Sequence, residues 1–143
     1  MTVVYVDPMG TLVAPAPDGS RGVHATTTLL PGALEALDRL RDERYELVIL
    51  SPEPLPLLAP LGDAIRYEPE PSAVRARRGA AARSWLIAAD EGWSERARPA
   101  GLRTIRVGPR PTDPHRPTAR FDVDARDLNA AVMEILTADT MPG

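Results

Sequence analysis

The sequence predicts an α/β protein built on a doubly wound parallel sheet with helices on both faces. Segments of strand character alternate with segments of helical periodicity through most of the chain. The strand segments are continuous apolar runs rather than alternating apolar and polar residues, which is typical of strands buried on both faces of a parallel sheet. No internal repeat or shift of composition divides the chain, so we expect a single three-layer domain over residues 1–143.

The first half of the chain contains three predicted strands and one helix. Residues 2–6, TVVYV, form the first strand, because they are an apolar run that ends at a turn signal. Prolines and glycines make residues 14–30 an irregular loop or flap. Leucines at helical spacing predict a helix over residues 31–44, with a proline at its first position. Residues 46–51, ELVILS, are a second buried strand, and a short strand is expected at 64–67.

The second half of the chain continues the alternation of strand and helix. The predicted strands are residues 84–89, 102–107 and 120–123, and the predicted helices are residues 71–82, 93–99 and 125–137. A proline-rich loop is expected at 108–119, and residues 138–143 are predicted to be a disordered tail. Asp124 and Asp127 mark the start of the last helix, since a carboxylate there accepts hydrogen bonds from the first backbone N–H groups.

The composition excludes several classes of function. The chain has 143 residues and a formal net charge of −3, so it lacks the basic character that nucleic acid or an anionic membrane attracts. Without cysteine it has no disulfide, no thiolate metal site and no cysteine nucleophile. All 17 basic residues are arginine, so no lysine takes part in any chemistry. No apolar run approaches the ~18 residues of a membrane span and no basic leader precedes the first strand, so we expect a cytoplasmic protein.

Three polar residues follow predicted strands at equivalent positions. Asp7 follows the first strand, Ser51 follows the second, and Asp90 follows the strand at 84–89. Each residue taken alone is also explained as a helix cap or a turn residue, whereas three at one topological position are harder to explain in that way. Ligands of doubly wound sheets bind beyond the carboxyl ends of the strands. We therefore predict a functional site that brings these three side chains together.

Three motifs resemble those of the haloacid dehalogenase (HAD) superfamily. They are DPMGTL at 7–12, VILS at 48–51 and WLIAADEGWSERARPAGLRTIRV at 85–107. The superfamily has Asp-x-Asp-Gly-Thr-Leu as its first motif, an apolar strand ending in Ser or Thr as its second, and an apolar strand ending in an acidic residue as its fourth. The same order of elements extends to the last helix, so the resemblance covers residues 2 to about 137. It implies a Rossmann-like HAD fold.

The resemblance is to a member without a cap domain. The segment between the first motif and the helix at 31–44 is short, and nothing extra lies between Ser51 and Asp90. A site without a cap is open. An open site suits a large phosphorylated substrate, a macromolecular partner, or a second copy of the chain that covers the cleft.

The resemblance implies a role for each residue of the predicted site. In the superfamily the first aspartate takes a phosphoryl group and becomes an aspartyl-phosphate, a role that falls here to Asp7. Mg²⁺ would be bound by Asp7, by the backbone carbonyl of Met9 and by Asp90, which all offer hard oxygen ligands. Ser51 would donate a hydrogen bond to a phosphate oxygen, and Thr11 completes the first motif.

The fourth motif of the superfamily contains a second acid a few residues after the first. Glu91 and Glu95 are both candidates, and Glu95 fits the spacing better. The alternative is that Glu95 is an ordinary glutamate on a helix surface, without contact to the metal.

Met9 departs from the first motif. It stands where phosphatases of the superfamily have a second aspartate, which acts as general acid and base. Methionine keeps the backbone carbonyl for the metal, but its thioether cannot protonate a leaving group or activate water. Such assistance is typically worth 10²–10⁴-fold in rate. The change points away from ordinary phosphatase action.

The third motif is the second departure. The superfamily places a lysine, less often an arginine, ahead of the fourth motif, frequently followed by proline. Here Glu68 precedes a proline, and a glutamate adds negative charge where the chemistry needs a cation. Arg66 and Arg75 are candidate substitutes, as are Arg77 and Arg78, because an arginine fork binds phosphate well. The alternative is that these arginines form a solvated helix face.

Three hypotheses of function follow. The first is a HAD-like phosphohydrolase with a degenerate site, whose Mg²⁺-dependent activity is weak or altered. The second is a competent Mg²⁺-dependent hydrolase acting on an unusual substrate, with an arginine in place of the lysine. The third is a non-catalytic module that keeps the fold as a binding surface. Assays of phosphorylated compounds with and without Mg²⁺ separate the first two from the third.

Overall fold

The computed structural model describes residues 2–13, 29–69, 84–89, 92–97, 101–108 and 121–140. Three predicted segments lie wholly or largely outside these ranges: the flap at 14–30, the helix at 71–82 and the proline-rich loop at 108–119.

Six strands form one parallel sheet. The strands are β1 (Val3–Val6), β2 (Glu46–Leu50), β3 (Ile65–Glu68), β4 (Trp85–Ala88), β5 (Arg103–Val107) and β6 (Val123–Ala125). Their order across the sheet is β3-β2-β1-β4-β5-β6, and every neighbouring pair is parallel. The predicted doubly wound sheet is confirmed. The strand that leads to Asp7 lies between the strands that lead to Ser51 and to Asp90.

Three α-helices and one 3₁₀ segment are described. They are α1 (Ala33–Asp42), α2 (Gly92–Ala97), α3 (Leu128–Thr140) and the 3₁₀ segment Pro56–Ala64. The 3₁₀ segment is broken at Gly62, whose φ of 55° and ψ of −131° are not helical. Within the described ranges no helix is both long enough and apolar enough to cross a membrane.

The start of the last helix differs from the expectation. Asp127 caps α3, since its carboxylate accepts a hydrogen bond of 2.8 Å from the N–H of Ala130. Asp124 instead lies within β6, where it pairs with Arg106 of β5 at 2.8 Å. The strand and the helix therefore both begin about three residues later than predicted, because one of the two aspartates has a partner in the sheet.

The two faces of the sheet carry separate apolar clusters. On one face Val4, Val6 and Ile87 pack with residues of α1 and α3, and all three are fully buried. On the other face Tyr5 and Leu86 pack with Ala97 at the end of α2. Alternate residues of each strand point to opposite faces, so a strand that is buried on both faces has apolar residues at successive positions. This burial accounts for the continuous apolar runs of the sequence.

The amino ends of the strands meet a polar group that we call the amino-edge cluster, formed by Tyr45, Trp85, Arg103 and Asp139. The Asp139 carboxylate accepts hydrogen bonds from the Tyr45 hydroxyl at 2.7 Å, the Trp85 Nε1–H at 3.2 Å and an Arg103 Nη1–H at 2.8 Å. The Arg103 guanidinium also lies 3.9 Å from the centre of the Trp85 ring. These contacts fix the last turn of α3, so residues 138–140 are helical although the sequence predicts a disordered tail from 138.

Candidate active site

Asp7 lies at the carboxyl end of the central strand. Its backbone N–H donates to the carbonyl of Ile87 in β4 at 2.9 Å, so the ladder between the two strands runs up to this residue. The side chain therefore leaves the backbone at the edge of the sheet, and the residue is only 8% exposed. A buried carboxylate in the crevice beyond the central strand is well placed to meet a ligand.

The chain turns sharply after Asp7. The carbonyl of Pro8 accepts hydrogen bonds from the backbone N–H groups of Leu12 and Val13, both at 3.0 Å, and the Gly10 N–H donates to the carbonyl of Val13 at 2.9 Å. Two further contacts tie the turn to the aspartate itself, and both involve residues of the first motif. The Thr11 hydroxyl donates to the Asp7 carbonyl, and the Met9 N–H donates to Asp7 Oδ1 at 3.4 Å.

Gly10 brings this turn against the end of β4. Its φ is +82°, in the left-handed region that favours glycine, and a Cβ added at this position would lie 2.8 Å from the Cβ of Ala89. Ala89 directly precedes Asp90 in the chain. The first-motif turn and the segment that leads into Asp90 are therefore in contact, while Asp90 itself lies outside the described residues.

The Met9 side chain is half-buried and packs against the apolar cluster on the α1 and α3 face of the sheet. The side chain two residues after Asp7 thus contributes to packing, whereas acid–base catalysis would need a polar side chain at this position. The backbone of Met9 remains part of the turn, where its N–H contacts the Asp7 carboxylate.

Ser51 lies at the carboxyl end of β2, beside the central strand. It is 1% exposed, and its hydroxyl donates to the carbonyl of Glu53 at 2.7 Å while accepting a hydrogen bond from the Glu53 N–H at 3.3 Å. This local turn holds the hydroxyl at the edge of the sheet. A hydroxyl rotates freely about its C–O bond, so the proton that now reaches Glu53 can also be donated to a phosphate oxygen.

Glu68 ends β3, which β2 separates from the central strand. Its Oε2 atom is buried and makes no hydrogen bond within the described part of the chain, and it lies 3.9 Å from Arg66 Nη2. The same Arg66 atom lies 2.6 Å from Glu46, the first residue of β2 and hence at the amino edge. Arg66 thus forms an ion pair with Glu46, at the opposite edge of the sheet from Asp7.

Solved structures with the same fold identify the architecture. A D,D-heptose 1,7-bisphosphate phosphatase from B. bronchiseptica, complexed with magnesium and phosphate, is similar over 96% of this chain and 99% of that chain, with a TM-score of 0.65 and 16% sequence identity. A phosphoserine phosphatase from T. onnurineus is similar over 94% of both chains, with a TM-score of 0.56 and 16% identity. The fold is that of the haloacid dehalogenase superfamily.

A defluorinating L-2-haloacid dehalogenase is also similar, with a TM-score of 0.53 and 25% identity over 80% of this chain and 56% of that chain. No protein-family model matches the sequence, and no curated protein is significantly similar to it. The fold shared with these solved structures confirms the fold that the three motifs predict.

Within this haloacid dehalogenase fold, the predicted site residues divide into three groups. Asp7, Met9 and Thr11 lie beyond the carboxyl end of β1, Ser51 follows the neighbouring β2, and Glu68 ends the next strand at the same edge. Arg66 is paired with Glu46 at the amino edge. Of the third group, only the backbone of Glu95 in α2 is described, and the other members lie outside the described residues: Asp90, Glu91, Arg75, Arg77 and Arg78. In the described ranges no three His, Cys, Asp or Glu side chains are grouped to hold a metal ion.

Arg106 was not among the predicted site residues. It is 8% exposed on β5, in register with Ala88 at the end of β4, and its Nε donates to Asp124 at 2.8 Å. An arginine inside the predicted buried strand was the available signal, because burying a charge is costly unless a partner is present. Thr104 is held in a similar way by Asp122, which accepts its hydroxyl proton at 3.1 Å and its N–H at 2.8 Å.

Proposed function

We propose that this protein is a phosphohydrolase-type enzyme with an altered site, in which Asp7 is the nucleophile and Mg²⁺-dependent hydrolysis is weak. One observation carries the proposal. The Asp7 carboxylate lies at the carboxyl end of the central strand, while the Met9 side chain two residues later packs into the apolar cluster. The nucleophile position is kept and the neighbouring acid–base position is lost.

The donor chemistry of the site suits magnesium. The Asp7 carboxylate and the Met9 backbone carbonyl are hard oxygen ligands, and Asp90 would add a second carboxylate. The heptose bisphosphate phosphatase of the same fold binds magnesium and phosphate. When bound, the ion would neutralise charge on the phosphoryl group. Ser51 would donate a hydrogen bond to that group and orient it for attack by the Asp7 carboxylate.

Two residues make the proposed activity weak. Met9 cannot give or take a proton, which removes a contribution of about 10²–10⁴-fold. Glu68 adds a carboxylate at the same edge, and the chain has no lysine to offset it. Strands in a sheet are ~4.8 Å apart, so Glu68 lies about 10 Å from the central strand, where it opposes charge build-up on a phosphoryl group without touching it.

The test is an aryl phosphate assay with and without millimolar Mg²⁺. We expect slow hydrolysis that needs Mg²⁺ and is lost in Asp7→Asn. Asp42→Asn is the matched control, because it makes the same chemical change on an exposed residue at the end of α1, at the opposite edge of the sheet. Turnover at ordinary enzyme rates contradicts the altered site, and turnover that survives Asp7→Asn contradicts the nucleophile.

The second candidate is a non-catalytic binding module. The observation that favours it is that the Thr11 and Ser51 hydroxyls are already bonded within the chain and the half-buried Met9 side chain packs against the apolar cluster, so the turn is complete without a ligand. Absence of hydrolysis for a wide panel of phosphate compounds, with the protein folded, supports this candidate. The open edge would then receive a macromolecular partner or a second copy of the chain. A cytoplasmic location is part of either proposal, and a fluorescent fusion tests it.

A further inference from the structure

We propose that Met133 is an oxidation site, at which a peroxide converts the thioether into a sulfoxide and thereby strengthens the contact between α1 and α3. The site lies on the outside of these two helices and is independent of the chemistry proposed for Asp7. Two features of the structure carry the proposal: the exposure of the Met133 side chain and the contact between its sulfur and Arg39.

The Met133 side chain is open to solvent. It is 43% exposed, and among the described residues it is the one large apolar side chain that is exposed. The residues through which α3 packs into the core are different ones: Leu128, Ala131, Val132 and Ile135. The susceptibility of methionine to oxidation follows its exposure, so a dissolved peroxide reaches Met133 without any opening of the fold.

The sulfur of Met133 contacts a cation. Arg39 Nη1 lies 3.0 Å from Met133 Sδ and donates a hydrogen bond to it. Arg39 belongs to the last turn of α1, whereas Met133 lies on α3, so this contact joins two helices that are far apart in the sequence. A thioether sulfur is a weak acceptor, and the contact therefore contributes little to stability while the sulfur is reduced.

Oxidation changes the acceptor that Arg39 meets. The sulfur lone pair attacks one oxygen of hydrogen peroxide, the S–O bond forms as the O–O bond breaks, and the proton of the attacked oxygen passes to the departing one, which leaves as water. Sulfur loses two electrons and the peroxide gains them. The sulfoxide oxygen is a strong acceptor, and its hydrogen bond from a guanidinium is charge-assisted. The contact between α1 and α3 is then stronger than in the reduced protein.

Met9 provides the contrast. Its half-buried side chain packs against the apolar cluster, where a sulfoxide would place a polar group among apolar side chains at a cost in stability. The oxygen on Met133 would instead lie between solvent and Arg39. We therefore expect Met133 to be oxidised before Met9, with a gain in stability where oxidation of a packed methionine gives a loss. A methionine sulfoxide reductase reverses the change.

The experiment treats the protein with dilute hydrogen peroxide, locates the added oxygen by peptide mapping and compares melting temperatures. We expect faster oxidation of Met133 than of Met9, and a rise of roughly 1–4 °C that a sulfoxide reductase reverses. Met133→Leu, treated in the same way, reports what the other methionines contribute and should show no rise. Arg39→Leu should abolish the rise because it removes the donor. Arg41→Leu is the matched control, since it removes an arginine of the same turn that pairs with Asp38 at 2.7 Å, and it should keep the rise.

A test without oxidant uses glutamine, whose amide oxygen is an acceptor near the position of the sulfoxide oxygen. Met133→Gln should melt at a higher temperature than Met133→Leu when Arg39 is present, and this difference should disappear in the Arg39→Leu background. Oxidation of Met9 ahead of Met133, an unchanged or lower melting temperature once Met133 is oxidised, or an equal rise in Arg39→Leu would each overturn the proposal. The oxidised native protein decides even where a variant does not fold.

Discussion

The two edges of the sheet are built differently. At the amino edge, side chains from four parts of the chain are bonded to one another, with the Asp139 carboxylate accepting hydrogen bonds from Tyr45, Trp85 and Arg103. At the carboxyl edge, the described contacts are mostly made by the backbone, and they shape the turn after Asp7 and the turn after Ser51. Of the charged side chains described there, Asp7, Glu53 and Glu68 are acidic, and Arg106 near the end of β5 is paired with Asp124.

This difference separates stability from function. Opposite charges that are bonded to one another, as at the amino edge, hold elements together and offer little to a ligand. Acidic side chains close to one another at the end of a sheet repel and cost stability, and their carboxylates are suited to binding a cation. The comparison therefore predicts that substitutions at the carboxyl edge act on activity and substitutions at the amino edge act on stability.

The largest expected effect is on the activity of the carboxyl edge. Met9→Asp alone should raise the hydrolysis of a generic aryl phosphate only modestly, because Glu68 still opposes charge on the phosphoryl group. Replacing Glu68 by lysine reverses a charge about 10 Å from the central strand. Its interaction energy with a unit charge on that strand then changes by about 1 kcal/mol in an aqueous environment and about 3 kcal/mol near a protein surface. We expect Met9→Asp with Glu68→Lys to exceed the product of the two separate gains, since both act on one transition state.

The control for this prediction is Glu43→Lys. It makes the same charge reversal on an exposed residue at the amino side of the sheet, and it should leave the rate unchanged. Circular dichroism and urea unfolding confirm that each variant is folded before rates are compared. If the double variant is folded but does not hydrolyse the aryl phosphate, the site differs from a phosphatase site at more than these two positions. The non-catalytic binding module is then the better explanation.

The second prediction concerns the contact between the turn after Asp7 and the end of β4, where Gly10 meets Ala89. Gly10→Ala places a residue with a side chain at a φ of +82° and forces its Cβ to within 2.8 Å of Ala89. The left-handed conformation costs about 1–2 kcal/mol and overpacking a further 1–3 kcal/mol, so we expect a loss of roughly 2–5 kcal/mol in the free energy of unfolding. Urea denaturation measures this loss.

Gly32 is the matched control, because its φ is +79° but no atom lies within 4 Å of an added Cβ. Gly32→Ala should therefore show the backbone cost alone, and the difference between the two variants measures the contact with Ala89. Ala89→Gly should recover that difference in the Gly10→Ala background. Equal losses for Gly10→Ala and Gly32→Ala would mean that the turn is not pressed against the end of β4.

Most of the fold could be predicted from the sequence, because strands that are buried on both faces consist of continuous apolar runs. The segments TVVYV, ELVIL and WLIA all form strands of the sheet, and their parallel pairing follows from the alternation with helices. The boundaries at the end of the chain were less predictable. They depend on Asp124 pairing with Arg106 and on Asp139 joining the amino-edge cluster, and both are contacts between residues far apart in the sequence.

The candidate site could be predicted as a set of positions but not as a set of contacts. The sequence placed Asp7 and Ser51 at neighbouring strand ends, as the structure has them. The Met9 side chain packs against the apolar cluster, which an isolated methionine in the sequence does not indicate, because the flexible thioether fits many environments. The sequence also gave no sign that Gly10 meets Ala89, since that contact arises from the pairing of β1 with β4.

The amino-edge cluster has a pH dependence whose sign follows from its hydrogen bonds. Burial raises the pKa of Asp139, but the hydrogen bonds from Tyr45, Arg103 and Trp85 outweigh it and lower the pKa below its ordinary value. Burial, followed by the hydrogen bond to Asp139, raises the pKa of Tyr45. A carboxylate with a depressed pKa in the folded state stabilises the fold above its unfolded pKa of about 3.9, and this stabilisation is lost as the pH falls through the folded pKa.

The smallest expected effect is therefore the loss of this contribution in acid. Asp139→Asn should lower the free energy of unfolding by about 1–2 kcal/mol at pH 6, because it weakens the bond to Arg103 and removes its charge partner. The gap between the native protein and Asp139→Asn should then narrow as the pH falls below the unfolded pKa of about 3.9, because the Asp139 carboxylate becomes neutral, as the asparagine already is. Urea unfolding at pH 6, 4 and 3 measures the gap, and aryl phosphate hydrolysis at neutral pH should be the same for both proteins. A gap that stays constant would show that the Asp139 carboxylate titrates alike in the folded and unfolded chain, and a change in hydrolysis would show that the amino edge supports the site as well as the fold.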